Sequence, residues 1–195
     1  MTNRILVALL VVSGLLLSGC KDGDGPDADP STPAPQSTSA TPIPSDGSSS
    51  STGVAPATGP LVEDDVFRFH LPADAEWELG REGLSATTYD EDLNAFDVAT
   101  SVLPLQAGRS EDDLDVDFDI STDSDGYDPP QKRGKNRVVD GIEGWTAETV
   151  EDGQLIYTFG TMHARHSFDI TFHFPKKDPR TRAWIESVLA SIQWK

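Results

Sequence analysis

The sequence predicts an α+β domain, an antiparallel sheet with flanking helices, carried behind a disordered linker. Three observations predict it. Residues 166–174 alternate without a break: Phe168, Ile170, Phe172 and Phe174 point to one side, Ser167, Asp169, Thr171 and His173 to the other. Period two is the mark of a strand. Residues 144–150 and 155–163 flank Glu151-Asp152-Gly153-Gln154, and an Asp-Gly centre between two such runs signals a hairpin. After Asp178-Pro179, placed as N-cap and first helical residue, the apolar residues Trp184, Ile185, Val188, Leu189 and Ile192 recur at helical spacing. Strands followed by a closing helix make a sheet with helices packed on it.

The chain divides into three parts, 1–19, 20–60 and 61–195. Arg4 gives the first part a positive start, and residues 5–17 are apolar apart from Ser13 and Gly14. This stretch suits a signal peptide and is shorter than the ~20 residues of a spanning helix. It ends in Leu17-Ser18-Gly19-Cys20, which resembles the lipobox of bacterial lipoproteins. That resemblance implies cleavage before Cys20, a diacylglyceryl group on its sulfur, and a chain held on the extracytoplasmic side of a membrane. Two acyl chains make such anchoring stable, and they consume the chain's single cysteine.

Residues 21–60 contain eight Pro and eight Ser, with Ile43 and Val54 their only large apolar residues. So little apolar surface cannot offset the entropy of ordering, which predicts a disordered linker. Net charge is −18, and losing Arg4 with residues 1–19 makes it −19. Like charge repels nucleic acid and anionic lipid heads, so neither is an expected partner of the body.

In the third part, residues 66–71 read as a strand ended by Pro72, with Trp77 in a turn beyond it. Residues 84–89 and 96–103 read as two more strands, the second ended by Pro104. Residues 110–120 carry two patterns. Leu114, Val116, Phe118 and Ile120 alternate with aspartates, as in a strand. Ser110 with Asp113 resembles a capping box, and Leu114 and Phe118 are four apart, as in a helix. The reading taken is a short helix from about 110. Residues 121–135 read as a loop and 137–140 as a short strand.

These elements, in this order, resemble the PsbP-like domain of bacterial envelope lipoproteins, including the LpqN-type family. The matching residues are Phe67-Arg68-Phe69-His70-Leu71-Pro72 followed by Trp77, then Val139-Asp140-Gly141-Ile142-Glu143-Gly144-Trp145, the long hairpin, and a final helix ending Leu189-Ala190-Ser191-Ile192. The resemblance implies a sheet flanked by helices and a non-enzymatic accessory or binding role, with no catalytic residues to carry over.

Motifs for chemistry are sparse. The chain lacks a Gly-x-Ser-x-Gly elbow, a Gly-rich phosphate loop and a His-Glu-x-x-His pair. The expectation is therefore a non-catalytic module with no cofactor and no metal. Its partners are the membrane, through lipidated Cys20, and an envelope protein or lipid. Two alternatives stay open, an acidic surface protein that binds divalent cations and an envelope hydrolase. For the first, a turn at Ala164-Arg165 would set His163 opposite His166, but Ala-Arg suits a tight turn poorly, and His173 falls on the other face. His70 has no such partner in sequence. Between Glu111 and Asp128 lie nine acids and no base. With Gly126 as the loop glycine, a calcium loop would need a glutamate where Lys132 stands and would start at Ser121, so the match fails at both ends. The run reads chiefly as solvated acid, with Lys132, Arg133, Lys135 and Arg137 nearby to balance it.

Overall fold

A computed structural model of the chain describes residues 53–80, 84–123 and 125–195. In chain order the elements are β1 (Leu61–Glu63), β2 (Phe67–His70), β3 (Glu78–Leu79), β4 (Ser85–Tyr89), β5 (Ala95–Pro104), α1 (Leu114–Thr122), β6 (Lys132–Arg133), β7 (Arg137–Val139), β8 (Ile142–Glu151), β9 (Gln154–His163), β10 (His166–Pro175), α2 (Arg180–Ser191) and β11 (Gln193–Trp194). The large sheet runs β3-β4-β5-β10-β9-β8-β6, with β7 also paired to β8. A second sheet of three strands runs β1-β2-β11. Every pairing is antiparallel. The α+β class, an antiparallel sheet with flanking helices, is what the chain adopts.

Two tight hairpins fix the register of the long strands. Glu151 pairs with Gln154 across Asp152 and Gly153, whose φ values are +48° and +83°. Asp-Gly accepts that shape readily. His163 pairs with His166 across Ala164 and Arg165, at φ +48° and +65°. Neither residue favours the left-handed region. The ten paired positions of β9 and β10 hold this turn in place, so Ala-Arg makes the tight turn its residue types argue against.

The core lies on one face of the large sheet. Phe168, Ile170, Phe172 and Phe174 of β10 are fully buried there, together with Phe159, Phe96 and Val98. Trp184, Ile185, Val188, Leu189 and Ile192 meet them from α2, as their spacing predicts. Trp184 sits 5.0 Å from the Phe96 ring and 6.2 Å from Phe174. The helix starts one residue later than the sequence suggests, with Pro179 as the cap residue and Arg180 first in the helix; Asp178 Oδ1 accepts the Arg180 N–H at 2.7 Å just ahead of it. Phe67 and Phe69 of the small sheet close the core's end, and Trp194 of β11 reaches Phe168 at 5.2 Å. The packed region begins ahead of β1: Ala57 N–H donates to Ser187 O and Gly59 N–H to Leu71 O.

Helix α1 covers the opposite face. It starts at Leu114, with Asp113 as its cap, four residues later than the sequence suggests. Phe118 packs edge-on against Trp145 at 5.5 Å. No helix of the described residues is long and apolar enough to cross a membrane.

Candidate functional site

The site follows from the pairing register of the polar face. Directly paired residues share a face, so each row across the sheet can be read from the ladders. One row runs Trp145, Gly160, Asp169, Ser101 over β8, β9, β10 and β5. The next runs Ala147, Thr158, Thr171, Ala99, and the row before joins Met162, Ser167 and Leu103. The central row holds a glycine and a serine among larger neighbours. A side chain at Gly160 would collide with the indole of Trp145, so this glycine is where the ring lies down on the sheet. Gly144 gives the same clearance to Phe159 beside it. A glycine inside a strand often marks such a close approach.

Trp145 in turn fixes a buried carboxylate. Its Nε1–H donates to Asp117 Oδ2 at 2.8 Å. Ser167 Oγ donates to Asp117 Oδ1 at 2.7 Å, and Arg109 Nη2 lies 3.3 Å from the same oxygen. Asp117 is 1% exposed. This corrects the reading of residues 111–128 as solvated acid: one member of the run is a buried anchor that ties α1 to β8 and β10. Its charge is tolerated because three donors surround it.

Beneath α1 and beside this anchor lies a cavity of about 270 Å³. Its floor is the three rows: Ser101, Thr158, Ser167, Asp169 and Thr171. Arg109, Trp145 and Ile120 form its sides, and Asp125 stands at its edge. Leu103 and Ile120, 61% and 52% exposed, give it an apolar rim. Thr158 and Thr171 bond each other at 3.0 Å. Burial, reinforced by the charges of Asp125 and Asp117 and opposed by a bond from Ser101, pushes the Asp169 carboxyl up to about 7. Burial likewise raises Asp125 above the usual carboxylate range.

Asp125 also lines an adjoining open cleft of about 780 Å³ with Phe118, Tyr127 and Gln131. The segment between α1 and β6 is tied to the sheet by two bonds and to itself by a third. Tyr127 Oη meets His173 Nε2 at 3.1 Å, Thr149 Oγ donates to Pro129 O at 2.8 Å, and Gln131 Nε2 donates to Asp125 at 3.3 Å. Burial, working against nearby Asp97, Asp125 and Glu151, lowers the His173 pKa.

The residues singled out in the sequence disperse. His163 and His166 do face each other across the turn. Yet the His163 ring lies 5.6 Å from Trp194, and His166 Nδ1 bonds Ala164 O at 2.8 Å. His70 Nδ1 bonds Gly59 O at 2.8 Å. Among the described residues, no three of His, Cys, Asp and Glu come together as a metal-ligand group. Arg133 meets Asp115 at 3.2 Å, as the neighbouring charge blocks suggest, but Arg137 turns away and clamps Glu186 with two bonds of 2.8 and 2.7 Å. Cys20 and the proposed signal lie outside the described residues, as does the linker up to residue 52. The cavity itself has no motif. One signal of it in the sequence is Asp169, a carboxylate in the middle of the most regular strand.

No family model matches this chain, and no curated protein matches it. Among solved structures it is similar to cyanobacterial PsbP (CyanoP) from Synechocystis sp. PCC 6803, known from a solution structure. That match has 14% identity and a TM-score of 0.46, and it covers 66% of this chain and 86% of that one. It is also similar to a crystal structure from Bacteroides thetaiotaomicron VPI-5482, at 17% identity and a TM-score of 0.39 over 66% of this chain. The match spans 45% of the Bacteroides chain, less than half its length. The α+β class rests on the chain's own topology.

Proposed function

We propose that this chain is a lipid-anchored envelope lipoprotein whose folded domain is a non-catalytic binding module, with the polar-face cavity as its binding place. The lipobox-like Leu17-Ser18-Gly19-Cys20 supports the anchor and the extracytoplasmic address. The observation that carries the binding role is the cavity floor. Hydroxyls and a carboxylate line a concave space with an apolar rim, the composition by which small-molecule sites orient a ligand. Stability alone gives the sheet no reason to keep Asp169 there, since a buried carboxylate opposes folding unless it is paired.

The test is native mass spectrometry of the chain extracted in mild detergent from its own membrane. The reading expects an acylated Cys20 and a non-covalently bound small molecule, and expects that molecule to be lost when Ser101→Trp fills the cavity. A free Cys20 thiol would contradict the anchor. An empty wild-type domain, or turnover in a hydrolase substrate screen, would contradict the binding role.

A further inference from the structure

The cavity wall carries charged groups of opposite sign. Arg109 and Asp117 balance each other at 3.3 Å. That leaves the carboxylate of Asp169 on the wall without a cationic partner among the described residues, whereas Asp125 at the edge accepts from Gln131 and lies near His173. Asp169 is the inner one, in the same row as Trp145 and Ser101. On the other side, Arg109 lines the cavity and spends Nη2 on Asp117 and on Met162 Sδ. Ser167 links the two sides, since it bonds Asp117 and sits two residues from Asp169 on the same face of β10.

We infer that the cavity binds a small molecule carrying an ammonium group next to an acceptor oxygen, with the ammonium on Asp169 and the oxygen toward Arg109. This deepens the binding reading above and rests on it. The hydroxyls of Ser101, Thr158 and Thr171 complete the polar floor, and the volume suits a ligand up to amino-acid size rather than a polymer. The groups that face Asp169 are Asp117 from α1, Asp125 from the segment after it, Arg109 from the segment before it and Ser101 from β5. Two of them are acidic, so a cation on Asp169 relieves like-charge crowding.

The test is calorimetric titration of the detergent-extracted full chain at pH 8 with ethanolamine, ethylamine, ethylene glycol and calcium chloride. Ethanolamine should bind more tightly than ethylamine, and ethylene glycol should give no saturable heat. Asp169→Asn, shown to be folded by its melting curve, should weaken ethanolamine about ten- to a hundredfold, the loss of one charged hydrogen bond. Arg109→Lys, which keeps a charge beside Asp117, should erase the preference for ethanolamine over ethylamine. Affinity should fall at pH 6, where Asp169 is protonated. Equal binding of ethylene glycol, an unchanged affinity in Asp169→Asn, or heat from calcium alone would overturn the assignment. If the amines fail while the membrane-extracted chain still carries its small molecule, the amine assignment falls and the binding role stands.

Discussion

The two faces of β10 differ more than any other pair of surfaces in the domain. On one, Phe168, Ile170, Phe172 and Phe174 meet α2 in a dry, aromatic core. On the other, Ser167, Asp169, Thr171 and His173 lie under α1 and the segment that follows it. A fully buried side chain of the first kind stabilises by about 1.5–3 kcal/mol. The second face substitutes directed bonds for burial, and leaves a cavity beside Trp145 where Ser101 contributes little bulk. One strand thus separates the work: odd and even positions serve different ends. The lesson is that the apolar face holds the fold, while the proposed ligand site on the polar face is open to change without dismantling it.

The largest expected effect tests the first half of that contrast. Trp184→Ala should destabilise by about 3–5 kcal/mol in urea denaturation, because it empties a site enclosed by Phe96, Phe174 and Trp77. A loss under about 1 kcal/mol would mean that α2 is not seated on the sheet.

Next comes the one polar group expected to behave like core. Asp117→Ala leaves Trp145 Nε1, Ser167 and Arg109 without their shared acceptor, and should cost about 3 kcal/mol. The measurement is again a denaturant midpoint. An effect near zero would return residues 111–128 to the status of solvated acid.

Asp169 should behave in the opposite sense. Its pKa is raised to about 7 in the fold, against 3.8 for the free group, so the folded state binds more protons between those values. Stability from this group is therefore full below about pH 4 and is lost as pH rises through 7. Asp169→Asn removes the penalty. It should stabilise by about 2 kcal/mol at pH 8, and the gain should shrink toward pH 4. A gain that does not change with pH would remove Asp169 from the account as a buried acid.

The smallest effect belongs to His166, whose ring bonds only the turn carbonyl of Ala164 within the hairpin. His166→Ala should shift stability by less than about 0.5 kcal/mol. A larger loss would show that the strained turn depends on this bond.

The apolar half of the molecule was legible in the sequence and the polar half was not. Alternation in β10, the Asp-Gly turn and the stripe on α2 are local patterns, and each appears where its residues predict. The short strands β1, β3, β6 and β11 are two or three residues long and exist only through their partners, so no period marks them. The cavity is harder still. Asp117 meets Trp145 across 28 positions and Ser167 across 50, separations that no spacing rule reaches. The aspartate run of α1 looked uniform because burial singles out one member by its place on the helix. Gly160 was the overlooked clue: a glycine among β9's large residues says that something lies upon it.

The most direct test of the division between faces reads stability and binding on one variant. Wild type and Asp169→Asn are extracted from the membrane, melted at pH 8 and weighed by native mass spectrometry. The account predicts that the variant melts higher and has lost its bound small molecule, the polar face having traded stability for recognition. A variant that melts higher and still carries the molecule would contradict it.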